Sequence, residues 1–480
     1  MASVTLYWHD YETFGADPRR DRPCQFAGLR TDLEFNPIGD PLVEYCRPAD
    51  DVLPAPEACL ITGITPRKAL AEGLPEARFI GRIHAELSRP GTCGLGYNTL
   101  RFDDEMTRHT LYRNLFDAYE REWRNGNSRW DIIDMVRATA ALRPNGIHWA
   151  TDDNGKPSFR LERLTAANGI AHQGAHDALA DVRATIELAR LIRSRQPRLF
   201  DFLWNHRDKR SAFQLLKLGS YEPVLHVSEK FSAERHCLAL VVALARHPTN
   251  QNGIVVYDLA ADPSPLLELN AEEIRRRLYT RASELPEGTE RIPLKTVHLN
   301  RSPVLAPVAT LRPADAERLG LDAGRCRAHL APLQAAADLA DKLAEVFSAP
   351  PPEPPDGRDP DLMLYSGGFF SDNDRRTMAR IREMSPTQLA AIEPNFDDPR
   401  LPEMLFRYRA RNFPESLNAN ERERWQRQRL RRLTEPGAGA TIVLTQYQET
   451  VERLLATPDL AERDRAILSD LQAYGREIVR

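Results

Sequence analysis

Two carboxylates one strand-step apart, Asp10 and Glu12, close the apolar run from Val4 to Trp8, and no other stretch constrains the fold as tightly. On a β-strand, residues i and i+2 project from the same face, so both acids point to one side. Two like charges held together are unfavourable unless a cation neutralises them, and hard oxygen ligands suit Mg2+ or Mn2+. A D-x-E of this kind also arises as a plain polar strand end entering a turn.

Two later stretches carry acids in a comparable way. Asn98-Thr-Leu-Arg-Phe-Asp103-Asp104-Glu105 places three acids in succession, which suits the first turn of a helix, where the dipole favours negative charge. His176-Asp-Ala-Leu-Ala-Asp181 opens a periodic segment, with Asp177 as a candidate N-cap and Asp181 one turn on. Each stretch has a bland structural reading when taken alone. Their order along the chain carries the information.

The flanking pattern divides the chain in three. Residues 1–195 mix β-rich runs (Val4 to Trp8, Thr92 to Tyr97) with helical stretches such as Ala178 to Ile192, an α/β arrangement. Pro197 ends that helix. Residues 197–349 hold β-branched runs at Pro223 to Val227, Cys237 to Ala245, Gly253 to Leu259 and Lys295 to Leu299, the spacing of a small barrel or sandwich. Ala349 to Gly357 is proline-rich and reads as a semi-rigid linker. Residues 353–480 are helical, with capping boxes at Ser385-Pro-Thr-Gln388 and Asn418-Ala-Asn-Glu421 and apolar periodicity through Val443 to Leu455 and Ala466 to Tyr474.

A length of 480 residues exceeds one ordinary core, which agrees with two or three domains. The composition, 42% hydrophobic and 28% charged, is that of a soluble globular chain. No apolar run approaches the roughly 18 residues of a membrane span. The first ten residues carry no basic n-region and are not a secretion signal. Six scattered cysteines without a C-x-x-C pair suit a reducing compartment, and the expected location is cytoplasmic. A net charge of −4 argues against bulk attraction of nucleic acid, so a polyanion must be held by placed residues.

D-x-E after the first strand, an acid after N-x-x-x-F, and H-x-x-x-x-D at the start of a later helix resemble, in that order, the DEDDh superfamily of 3′→5′ exonucleases. The resemblance implies a ribonuclease H-like fold. It also implies two Mg2+ ions (Mn2+ may substitute) held by Asp10, Glu12 and Asp181 directly and by Asp103 directly or through water, with Asp104 standing beside Asp103 as an alternative. His176 would accept the proton of the attacking water, a task suited to an unperturbed pKa of about 6.5. Histidine here, in place of a tyrosine one residue nearer the last acid, marks the "h" branch. The spacing of His172 to Asp181 does not match.

Further segments are similar to the bacterial exodeoxyribonuclease I family: His9 to Gly15, Leu60 to Pro66, Gly96 to Asn98, Pro157 to Glu162, Arg195 to Asp201, Pro265 to Leu269, Thr310 to Pro313 and Arg407 to Pro414. One departure is Tyr365 to Ser371, which carries an extra residue relative to the family pattern. The resemblance spans the chain and implies an SH3-like β-rich region and a helical C-terminal region completing a groove around the strand. The implied activity is processive removal of 5′-mononucleotides from single-stranded DNA, in repair and recombination, by a monomer. Glu12, Arg108, Tyr119, Trp123, Arg137 and Arg160 are the implied DNA contacts, through base stacking and phosphate pairing, chosen from a set that also held Arg113 and Arg124. The basic run Arg422 to Arg432 is a further candidate, although such runs are mostly solvated faces. Arg143, Phe202 and Arg312 match positions that dock the C-terminal tail of single-stranded-DNA-binding protein (SSB), while Pro307 replaces a polar contact there. Two rival readings are an RNA 3′-exonuclease and a DNA-binding scaffold with a vestigial site.

Overall fold

The computed structural model describes residues 3–172, 174, 176–348 and 359–479. The expected linker, Ala349 to Gly357, lies outside the described residues. Two compact units emerge, and neither follows the order of the chain: one joins residues 1–128, 172–183 and 353–480, the other residues 129–171 and 184–352.

The first unit is built on strands β1 (Thr5–Thr13), β2 (Pro23–Thr31), β3 (Leu42–Tyr45) and β4 (Thr92–Gly96). With β5 (Ser128–Asp131), on which the chain passes to the second unit, they form a mixed sheet of order β3-β2-β1-β4-β5. β1 pairs antiparallel with β2 and parallel with β4, the arrangement expected of a ribonuclease H-like fold. The strand that opens at the first apolar run continues through Asp10 and Glu12, so the acids lie within β1 itself. β2 escapes sequence detection because every residue in it is buried, which removes the polar–apolar alternation of a half-exposed strand. Helices Glu76–Leu87 and Asp103–Arg113 bring Phe79, Ile80, Ile83, Met106 and Leu111 against Tyr7, Tyr11 and Phe26 of the sheet.

C-terminal helices complete this unit. Leu433, Tyr447, Val451, Leu468, Leu471 and Tyr474 share a core with Phe14, Cys24, Leu53 and Cys59. Met378, Ile381, Leu401 and Met404 share another with Tyr112 and Leu115. Both expected capping boxes are present, at Ser385 and Asn418. The same unit holds buried ions: Asp51 takes Arg411 at 2.7 Å and Arg432 at 3.1 Å, and Asp361 takes Arg411 at 2.8 Å and Arg407 at 3.0 Å. Glu76 chelates Arg113 at 2.8 and 2.9 Å. Despite its burial, Arg411, Arg432 and Arg22 hold Asp51 well below the usual carboxylate range.

The second unit holds helix Ile132–Leu142 and an antiparallel sheet of β6 (Val224–Val227), β7 (Leu238–Arg246), β8 (Gly253–Asp258), β9 (Leu294–His298) and β10 (Val304–Pro307), in the order β10-β6-β7-β8-β9. The four expected strands appear. β10, four residues ending at a proline, has too little pattern to be read in advance. No helix among the described residues is long and apolar enough to cross a membrane.

Candidate active site

β1 carries Asp10 and Glu12 opposite Ala27 and Gln25 of β2. β4 ends at Gly96, where a Cβ would meet the carbonyl oxygen of His9 at 2.4 Å, so only glycine permits this close approach to β1. The chain then turns through Asn98 in the left-handed region (φ 64°) into helix Asp103–Arg113.

The three acids of that first turn go separate ways. Asp103, 3% exposed, accepts the backbone N–H of Tyr11 at 3.0 Å, which places it beside the residue between the two strand acids. Asp104 is bound by the buried guanidinium of Arg121 at 2.6 Å. Glu105 pairs with Arg108 at 2.9 Å and accepts the hydroxyl of Tyr365.

Helix Ala178–Arg195 supplies the last group. Asp177 caps it by accepting the N–H of Ala180 at 3.2 Å, and Asp181 lies one turn further on. His176 precedes the cap with φ 68°, a left-handed conformation that non-glycine residues adopt only where the surroundings impose it. Ligand atoms of Glu12, His176 and Asp181 all fall within 4.8 Å of one another. His172, set aside on spacing, also reaches Asp181: its Nε2 hydrogen-bonds Oδ1.

The electrostatics of the site favour binding of a positive charge. Burial, then the carboxylates of Asp103, Glu12, Asp181 and Asp177, raise Asp10 well above the ordinary range. Burial together with Asp181 and Asp177 pushes Glu12 up to about 8. Burial also raises Asp181, against the opposing hydrogen bond from His172. Mutually repelling, desolvated oxygen donors fit a hard divalent cation.

The other expected residues occupy varied settings. Trp123 is 64% exposed, and Tyr119 is half-buried beneath the guanidinium of Arg108. Arg108 itself is buried and bidentate to Glu122 at 2.7 and 2.8 Å. In the second unit, Arg137 is buried and pairs with Asp134 at 2.7 Å, while Arg160 is exposed. Arg143 and Arg312 both donate to the carbonyl of Leu142, and Phe202 stacks on His206 with centroids 4.1 Å apart. Of the basic run, Arg424, Arg427 and Arg431 pair with Glu403, Glu423 and Glu435, and Arg432 is buried in the ion network.

Clustered carboxylates with an adjoining histidine, on a mixed sheet of this order, make the donor set that divalent-metal hydrolysis of phosphodiesters requires. Comparison with known proteins narrows that class. Residues 7–189 match the family model for an exonuclease, 207–349 the exonuclease I SH3-like domain and 358–478 the exonuclease I C-terminal domain. Exodeoxyribonuclease I of Escherichia coli is 47% identical over 475 residues, covering 99% of this chain and 98% of that protein. The Haemophilus influenzae enzyme is 44% identical over 480 residues, with each chain wholly covered. Among solved structures, exonuclease I from Methylocaldum szegediense superposes with a TM-score of 0.95 at 61% identity, over 99% of this chain and all of that one. The E. coli enzyme in complex with a dA16 oligonucleotide gives 0.95 at 47% identity, over 99% and 100% of the two chains. An SSB/exonuclease I structure with an inhibitor gives 0.91 at 46% identity, covering both chains fully. The chain belongs to the exonuclease I family and is an exodeoxyribonuclease.

Proposed function

We propose that this exodeoxyribonuclease degrades single-stranded DNA processively from the 3′ end to 5′-mononucleotides, with Asp10, Glu12, Asp103 and Asp181 holding two Mg2+ ions and His176 as general base. The observation that carries the reading is the carboxylate set around Asp10, whose mutual repulsion a bound divalent cation would relieve. Asp103 is preferred to Asp104 because Arg121 already neutralises the latter.

When bound, the ions supply charge neutralisation at the phosphodiester and at the oxygen that leaves it. Glu12 on its strand and Asp181 on its helix would both be ligands of these ions. His176, exposed and adjacent to both, takes the proton of the attacking water and returns it to solvent. Each unit supplies DNA contacts of its own. Tyr119 and Trp123 stack bases in the first, and Arg160 pairs with phosphate in the second. Arg108 and Arg137 complete the set with cationic edges already bound by Glu122 and Asp134, so their share of the contact is smaller.

A solved structure of a related exonuclease I is a complex with SSB. In this chain we propose Arg143, Arg312 and Phe202 as the site for the acidic, apolar tail of that protein, the two guanidiniums facing its carboxylates. The protein acts as a cytoplasmic monomer with segment limits near 1–195, 197–349 and 353–480, in DNA repair and recombination. The test is digestion of matched single-stranded DNA, duplex DNA and RNA with Mg2+ or with EDTA. Mononucleotide release from the DNA single strand with Mg2+ is expected to be fastest, and release that EDTA leaves unchanged, or faster release from RNA, would overturn the reading.

A further inference from the structure

Gln25 belongs to none of the acidic motifs, yet it joins the two halves of the site. It lies on β2 as the cross-strand partner of Glu12 and is 1% exposed. Its amide works in both directions. Nε2 donates to Asp177 Oδ2 at 3.1 Å, and Oε1 accepts the backbone N–H of Ala178 at 3.2 Å. The N–H of Ala178 is one of the first-turn donors that a helix cannot satisfy internally. Asp177 spends its other oxygen on the N–H of Ala180. The start of helix Ala178–Arg195 is therefore tied to the sheet at the level of Glu12, with His176 just before the tie and Asp181 one turn after it.

We propose that Gln25 is a positioning residue for metal binding, its amide setting the separation between Asp10 and Glu12 on β1 and His176 and Asp181 at the helix. The proposal rests on the reading that Glu12 and Asp181 hold the metal. Those carboxylates repel one another, so strand and helix need a tie that holds them together, with a donor for the Asp177 carboxylate and an acceptor for the Ala178 N–H. A neutral amide meets this condition. A glutamate could accept from Ala178 but could not donate to Asp177, leaving two carboxylates face to face. A methionine of similar length could do neither.

The polarity of the pair makes a reciprocal test available in the full-length protein. Gln25→Glu sets two carboxylates against each other. Asp177→Asn sets two amide donors against each other if its oxygen stays on the Ala180 N–H. The double variant Gln25→Glu/Asp177→Asn restores one donor and one acceptor with the direction reversed, at unchanged net charge. Mn2+ affinity by titration calorimetry without DNA, hydrogen exchange at the Ala178 amide, and kcat and KM on oligothymidylate with Mg2+ are the readouts. Each single variant should lose Mn2+ affinity and kcat on the order of 10-fold, as hydrogen-bond partners behind metal ligands typically do, while KM stays close to that of the unsubstituted protein. The double variant should recover affinity, kcat and Ala178 protection. Single variants that bind Mn2+ normally would overturn the proposal, as would a double variant as weak as Gln25→Glu. Asp181→Ala separates the two claims: if it binds Mn2+ undiminished, the metal-site reading itself fails and the role of Gln25 falls with it.

Discussion

His176 sits in a left-handed conformation at the mouth of a helix, exposed to solvent and within reach of Glu12 and Asp181. Replacing it by alanine removes the proposed proton acceptor and leaves the carboxylates in place. Turnover should fall by roughly 10²- to 10⁴-fold while binding of single-stranded DNA persists, as followed by fluorescence anisotropy. Weakened binding with undiminished turnover would contradict the assignment. Glu12 provides a second check. Burial and the neighbouring acids raise it to about 8 in the folded chain, against about 4.3 in an unfolded one. Between those values the folded state holds more protons than the unfolded state, so the metal-free protein loses stability as pH rises through this window. A bound cation removes the penalty. The rise in melting temperature on adding Mg2+ should thus be larger at pH 8 than at pH 5, by scanning calorimetry against an EDTA control; an equal rise at both would contradict this.

Strands and helices hold those residues through contacts that differ in how legible they are. The proposed acids and histidine stand in local patterns, D-x-E on a strand and H-x-x-x-x-D at a helix start, whose order along the chain carries the family resemblance. Gln25 could not be read in this way, since its importance depends on the β1–β2 register that sets it opposite Glu12. The contact of His172 with Asp181 was hidden for a related reason: the loop geometry that permits it leaves no periodic trace. Which of Asp103 and Asp104 faces the site depended on Arg121, seventeen positions downstream of Asp104. The pair of Glu76 with Arg113 joins two helices of the first unit in the same unpatterned way. Despite burial, Arg113 and Arg22 hold Glu76 down to about 2. Its stabilisation is fully present above the unfolded value of about 4.3 and is lost as pH falls through the folded value. Arg113→Met strands a buried carboxylate and should cost roughly 3–5 kcal/mol in denaturant unfolding, whereas a cost near zero would show that water reaches the pair.

At the scale of the molecule, the order of an α/β, a β-rich and a helical region is legible in the pattern along the chain, but their assembly into units is not. Leu433, Tyr447, Leu468 and Leu471 of the C-terminal helices close the same core as Phe14, Cys24 and Leu53 near the nuclease motifs. Periodicity marks an apolar face without naming its partner, and a core shared over some four hundred positions leaves no local signal. A fragment ending at residue 348 loses this cover and the arginines that neutralise buried Asp51. It should show no cooperative thermal transition and should bind a hydrophobic dye; a fragment that melts cooperatively would contradict the shared core. Removal of nucleotides from a free 3′ end by this proposed carboxylate set is tested by digestion of a single strand bearing either a free or a blocked 3′ terminus. With Mg2+, the free strand should yield 5′-mononucleotides and the blocked strand almost none. Equal release from both would contradict the claim.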